Sequence, residues 1–168
     1  GAFIDLFSTT VMGWPLNLGN DIRNFYRDIQ KMPSQIMSVV PMIMNALHKD
    51  VMRGNRDRLG DLWVPIGSSA MFDPQVLLDM VHNGMFVIQC YGATETCAAG
   101  IINFAQDEKH IGAVGQGSEY MDYKIEPDGE LCIRGDSIML GYYKDPEATA
   151  AVIDKDGWFH TGDIARLE

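Results

Sequence analysis

The sequence is short of basic residues: 13 Lys and Arg stand against 23 Asp and Glu, for a formal net charge of −10. That balance argues against a surface built for nucleic acid or anionic membrane, both of which need a positive footprint. It also sets a condition on any phosphate ligand, whose charge must be met locally by backbone N–H groups, bound metal or basic groups from elsewhere. Cysteine is scarce and odd in number. Cys90, Cys97 and Cys132 show no metal-ligand spacing and read as reduced, mostly buried thiols of a cytoplasmic protein. Long hydrophobic runs are lacking too. The longest apolar stretch, around 36–46, is interrupted by Ser38, Pro41 and Asn45 and is too short to span a bilayer. No basic region precedes an apolar segment in the manner of a signal peptide, and there is no internal repeat or low-complexity tract.

What is present is ordinary for a globular chain. Its 168 residues suffice for one domain or two small subdomains, and 46% are apolar. Eleven methionines read first as filling for apolar space and second as a flexible acyl pocket. The chain begins on Gly1 and runs at once into an apolar segment, so the expectation is a piece of something longer.

The first two-thirds alternate strand and helix patterns. Residues 2–7 read as a strand. Asn20 or Asp21 can cap a helix whose Ile22, Phe25, Tyr26 and Ile29 fall on one face. A strand over 35–40 leads to a helix with Pro41 in its first turn, where Val39, Met42 and Met44 read as core. Residues 53–61 are polar and read as a surface connection. A strand over 62–66 meets the turn Gly67-Ser68-Ser69-Ala70, and Asp73-Pro74 starts a helix that Gly84 ends. The apolar run 86–90 reads as a buried strand, and 98–104 as another. This alternation predicts α/β architecture, a parallel sheet with flanking helices. From 109 the punctuation changes to that of β structure. Strands over 121–126 and 130–134 are joined by Pro127-Asp128-Gly129, a short helix opens at Asp145-Pro146, and the turn 161–163 lies between two further strands. The expected division is 1–108, the α/β part, and 109–168, a smaller β-rich part.

Tyr91-Gly92-Ala93-Thr94-Glu95 leaves the carboxyl end of the 86–90 strand, where parallel sheets place ligands. The pentapeptide offers an aromatic face, a glycine that admits close approach, a hydroxyl for a phosphate oxygen and a carboxylate for a hard cation. Read alone, it serves equally as a strand-to-loop turn with a solvated glutamate. Trp158, Phe159 and His160 read as packing and turn residues, and Arg134 and Lys144 as solvated or structural.

Four motifs in order change the reading: Tyr-Gly-Ala-Thr-Glu at 91–95, Gly-Glu-Leu-Cys-Ile-Arg-Gly at 129–135, Gly-Tyr-Tyr-Lys-Asp-Pro-Glu-Ala-Thr at 141–149 and Gly-Trp-Phe-His-Thr-Gly-Asp at 157–163. Together they resemble the adenylate-forming (AMP-binding) superfamily, most closely the acyl-CoA synthetases, over essentially the whole chain. The resemblance implies part of an amino-terminal domain whose β-rich subdomain is a distorted barrel. It implies a ligase that joins a carboxylic acid, most simply a fatty acid, to AMP from ATP with Mg2+, then passes it to CoA. Thr94 would contact the phosphate and act with Glu95 in catalysis, and Glu95 would hold the metal. Tyr91 with Gly92 and Ala93 would lie against the adenine, Ser69 and Ala70 would border its edge, and Asp163 would take the ribose hydroxyls. The family's turn at 67–70 is richer in glycine than this one. Its glycine- and threonine-rich phosphate loop and its lysine-bearing carboxyl-terminal domain are not among these residues, so the piece alone is expected to be inactive. A peptide-synthetase-type adenylation domain and a non-catalytic nucleotide- or acyl-binding module stay open as alternatives. If one nucleotide uses both residues, Tyr91 and Asp163 border a common cleft, roughly a nucleoside's length apart, with Ser69 and Ala70 on its wall.

Overall fold

The computed structural model describes residues 11–13, 15–19, 21–97 and 100–167. The strand expected over 2–7 and the alternative cap Asn20 lie outside the described residues, as do positions 98 and 99 of the strand expected over 98–104. The chain forms two compact units that are interleaved in sequence. One runs to Cys90 and resumes over Asn103–Gly115; the other holds Tyr91–Ile102 and continues from Gln116. Turn chemistry alone suggested one cut near residue 108.

In the first unit the Asp21 carboxylate accepts from Arg23 N at 2.8 Å and caps a 3-10 turn, Ile22–Asn24. Then come α1 (Phe25–Lys31), β1 (Ile36–Val39), α2 (Pro41–Met52), β2 (Val64–Gly67), α3 (Pro74–His82) and β3 (Ile88–Tyr91), whose last residue, Tyr91, belongs to the second unit. Pro41 and Pro74 sit in first helical turns, where a missing N–H removes no bond. The Asp73 carboxylate caps α3 by accepting from Gln75 N at 2.9 Å. β1, β2 and β3 pair in parallel, with Ile36 opposite Val64 and Ile66 opposite Ile88. Met44, Leu47 and Val51 of α2 and Leu77 and Met80 of α3 pack with Val39 and Val87 into one core.

Two expectations need correction here. Met42, grouped with the core, is 62% exposed, because two residues along a helix turn it roughly 200° away from the stripe of Met44. The polar stretch 53–61 is more than a surface connection. It contains a 3-10 turn, Arg56–Leu59, that buries Leu59 and brings Arg58 Nη1 to 2.8 Å from the Oδ1 of buried Asp50.

The second unit contains β4 (Ile101–Asn103), β5 (Gln116–Gly117), β6 (Met121–Ile125), β7 (Glu130–Gly135), α4 (Pro146–Val152) and β8 (Phe159–Ile164). β4 pairs antiparallel with β5, and β6–β7–β8 form a three-stranded antiparallel sheet. Ile101, Leu131 and Ile133 make its core, joined by Tyr91, Met121 and Tyr123. Residues 161–163 were expected as a turn between strands and instead lie inside β8. Gly162 takes φ +73° there, beside a register shift that falls between Glu130 and Cys132 of β7. The irregularity that reads as a turn in the sequence is a distortion within a continuous strand. The thiols differ as well: Cys132 is buried and Cys90 half-buried, but Cys97 is exposed. Among the described residues no helix is long and apolar enough to cross a membrane.

Asp50 is a buried carboxylate of the first unit. Hydrogen bonds led by that from the Tyr26 hydroxyl, together with the Arg58 charge, hold its carboxyl below the usual range against the opposing effect of burial. A depressed folded pKa stabilises the fold above the unfolded value of about 3.9 and is lost as pH falls through the folded value. Asp50→Asn is therefore expected to lower stability near neutrality by roughly 2 kcal/mol and to flatten the acid limb below about pH 4. Urea midpoints at neutral and acid pH read both effects. An acid limb unchanged in the variant would show that Asp50 does not carry it.

Candidate functional site

Tyr91 ends β3, and the chain then passes through Gly92 and Ala93 into a single 3-10 turn, Thr94–Thr96. Thr96 is fully buried, and its hydroxyl accepts from Ala93 N and donates to Ala93 O, both at 3.0 Å. That reciprocal pair fixes the turn from below and leaves Thr94 exposed and Glu95 half-buried. Gly100 approaches this strand end closely; a Cβ there would meet Tyr91 O at 3.0 Å.

Glu95 is held at both its backbone and its side chain. Met139 N donates to Glu95 O at 2.7 Å, and the Tyr142 hydroxyl donates to Glu95 Oε1 at 2.8 Å. That carboxylate raises the Tyr142 pKa. An ionised carboxylate accepts several bonds, so the Tyr142 contact leaves capacity for a hard cation, and the donor type suits Mg2+.

Asp163 is placed by β7. The Thr161 hydroxyl donates to Leu131 O at 2.7 Å and accepts from Asp163 N at 3.1 Å, while Gly162 N donates to Glu130 Oε1 at 2.9 Å. From this anchored backbone the exposed Asp163 carboxylate reaches Tyr91, whose hydroxyl donates to Oδ2 at 2.6 Å across 72 positions of sequence. The two side chains are thus in direct contact, closer than a nucleoside's length, and both belong to the second unit. Burial foremost, then the Asp163 carboxylate, pushes the Tyr91 phenol up to about 12.

Six of the eight singled-out residues, Tyr91, Gly92, Ala93, Thr94, Glu95 and Asp163, therefore share the second unit. Ser69 and Ala70 lie exposed in the first, in the turn after β2. Ser69 adopts φ +75°, a conformation that costs a side-chain-bearing residue about 1 kcal/mol and that glycine takes freely. Tyr142, Thr96, Thr161 and Glu130 were not singled out by sequence. Of these, only Tyr142, inside Gly-Tyr-Tyr-Lys, and Glu130 and Thr161, beside recognised glycines, carried any signal.

Asp163→Asn is expected to lower the Tyr91 pKa from about 12 but to leave it above the ordinary value of about 10, since burial remains. The 13Cζ resonance of Tyr91, assigned by comparison with Tyr91→Phe, follows the titration. An unchanged curve would remove Asp163 from its surroundings.

A family model described as "AMP-binding enzyme" matches residues 4–143. Long chain acyl-CoA synthetase 1 of Arabidopsis thaliana is 41% identical over 127 residues, which are 67% of this chain and 19% of that protein. The 4-coumarate–CoA ligase of Vanilla planifolia is 36% identical over 166 residues, 88% of this chain and 30% of that protein. The chain thus spans less than a third of the length of either relative. Among solved structures, o-succinylbenzoate CoA synthetase of Bacillus subtilis, in complex with an acyl-adenylate intermediate, superposes with a TM-score of 0.80 at 21% identity. That match covers 97% of this chain and 35% of that one, and it shows the fold. With most of its length under the family model, the chain belongs to the AMP-binding enzymes, the adenylate-forming superfamily, and is acyl-CoA synthetase-like.

Proposed function

We propose that these residues form the nucleotide-facing part of an AMP-forming acyl-CoA ligase acting on a carboxylic, most simply a fatty, acid in the cytoplasm. The observation that carries this reading is the Tyr91–Asp163 pair, which joins an aromatic face and an exposed carboxylate from two distant motifs in one unit. In the reaction, a carboxylate oxygen bonds to the α-phosphorus of ATP and pyrophosphate leaves. The CoA sulfur then bonds to the acyl carbon, AMP leaves, and the thiol proton is released.

Each residue has a part in this scheme. The Tyr91 ring, with Gly92 and Ala93 beside it, lies against the adenine. Asp163 accepts from the ribose hydroxyls with the capacity its Tyr91 bond leaves. Thr94 donates to the α-phosphate. Glu95, oriented by Tyr142, would hold Mg2+, which when bound offsets the charge of two approaching anions. Fixed orientation contributes as much as charge, because bringing two anions into line is entropically costly. Catalytic groups of this kind act as a unit, and the phosphate loop and lysine that the family uses are outside these 168 residues.

Two outcomes follow. The 168-residue chain alone shows no ATP–pyrophosphate exchange with fatty, aryl or amino acids, and exchange that survives repurification would overturn this. In a full-length protein carrying this sequence, Glu95→Gln lowers exchange by about 100-fold or more and changes AMP affinity little, because AMP lacks the pyrophosphate. Exchange at the parent rate would return Glu95 to a solvated turn residue.

A further inference from the structure

The three-stranded sheet carries a second cluster of polar side chains. Glu130 and Cys132 are two apart on β7 and share a face by the period of a strand, and His160 is the direct partner of Cys132 across β8. His160 Nδ1 stands 2.7 Å from Glu130 Oε2 and 3.4 Å from Cys132 Sγ, with 4.0 Å between Sγ and Oε2. Three different donor atoms, N, O and S, thus lie within 4.8 Å of one another. We propose that Glu130, Cys132 and His160 form a binding site for a borderline-soft divalent cation of the Zn2+ type, with water completing a tetrahedron.

Distances decide in favour of this cation. Tetrahedral bonds of about 2.0–2.3 Å put neighbouring donors roughly 3.3–3.9 Å apart. The N–S separation of 3.4 Å falls in that range, while the S–O separation of 4.0 Å must close slightly and the N–O separation of 2.7 Å must open. Thiolate and imidazole select against Mg2+ and Ca2+, which prefer oxygen alone. The imidazole is also oriented as a metal-bound one is. Its Nδ1 faces the other two donors, and its Nε2 lies 3.8 Å from Asp154 Oδ2, beyond hydrogen-bond reach, so that a small shift of the ring on metal binding would let this carboxylate take the second ring N–H. Asp154 is itself fixed, since Oδ1 accepts from Asp156 N and Trp158 N, both at 2.9 Å.

Access and charge are both suitable. Cys132 is buried, while the His160 and Glu130 side chains keep 32% and 21% of their exposure, so a hydrated ion can enter from their side. Lys124, the register partner of Cys132 on β6, is the cation that would oppose it, but its charge is paired with Glu126. Without metal the thiol is neutral, its pKa pushed up by burial and then by Glu130, while Glu130 raises that of His160. Binding therefore releases the thiol proton and any imidazolium proton to solvent, with no change of oxidation state. Because Glu130 Oε1 holds Gly162 N, occupancy would also stiffen β8 beside Asp163. The site stands independently of the ligase reading.

The 168-residue chain, stripped with chelator and titrated with Zn2+, is expected to bind one ion and to melt higher with it. Co2+ in its place should give a thiolate-to-cobalt charge-transfer band in the near ultraviolet. Cys132→Ala should abolish the band, and the Cys90→Ala/Cys97→Ala double variant should keep it. Asp154→Asn should weaken Zn2+ binding by about 10-fold. Should Cys132→Ala fail to fold, His160→Asn, at a half-exposed position, must weaken Zn2+ binding at least as much as Asp154→Asn while circular dichroism stays unchanged. Absence of the band in the parent chain, its survival in Cys132→Ala, its loss in the double variant, or a His160→Asn chain that binds like the parent each overturns the assignment.

Discussion

The pairing of β7 with β8 is the constraint on which the second unit depends. It is regular at Cys132–His160 and Ile133–Phe159 and shifts before Glu130 meets Ile164. That shift needs a residue able to take φ +73°, and Gly162 supplies it. A Cβ at Gly162 would meet nothing within 4 Å, so the demand comes from backbone conformation and not from crowding. Glu130 then accepts from Gly162 N, and Thr161 spans from Leu131 O to Asp163 N. The Asp163 carboxylate is aimed at Tyr91 because its strand is tied to β7 through the Thr161 hydroxyl and Gly162 N, while its own N–H donates to that same hydroxyl.

The same economy applies around Glu95. A carboxylate proposed to hold a cation gains by being held still, since orientation fixed in advance is not lost on binding. Buried Thr96 fixes the turn, Met139 N fixes the Glu95 carbonyl, and the Tyr142 hydroxyl fixes the side chain. Two of these three partners come from the segment between β7 and α4. Residues with no evident chemistry of their own therefore decide where the reactive groups stand.

Much of the fold was legible because its signals are local. Pro41, Asp73-Pro74, Asp145-Pro146 and Pro127-Asp128-Gly129 each mark a start or a turn within a few residues, and the elements observed agree. The failures are non-local, with Met42 as the exception. Met42 looked like core by composition and missed the stripe by its angle. Leu59 is buried by a turn made of charged neighbours. Residues 161–163 read as a turn because a strand distorted by its partner carries the same glycine as a loop. The Glu130–Cys132–His160 grouping escaped cysteine spacing because one donor arrives across the sheet, by register, from 28 positions away. Tyr142 sat in a recognised motif, yet only packing reveals that its hydroxyl points at Glu95.

Charge gives the remaining step. The second unit contains five basic residues, and four of them are engaged with near neighbours. Lys124 pairs with Glu126 and Arg134 with Asp122, both cations also lying over the Trp158 ring; Lys144 lies over Tyr143, and Lys155 pairs with Asp156. Arg166 is likewise not without a partner. A triphosphate approaching Thr94 and Glu95 therefore meets a hydroxyl and a carboxylate in a chain of net charge −10. Coulomb repulsion between the ligand and Glu95 would favour a divalent cation at that carboxylate in the proposed reaction, beside whatever backbone N–H groups and basic groups from elsewhere meet the rest of the phosphate charge. The acidic composition that argues against a nucleic-acid surface is thus also what would give a cation at Glu95 its electrostatic value in the proposed chemistry.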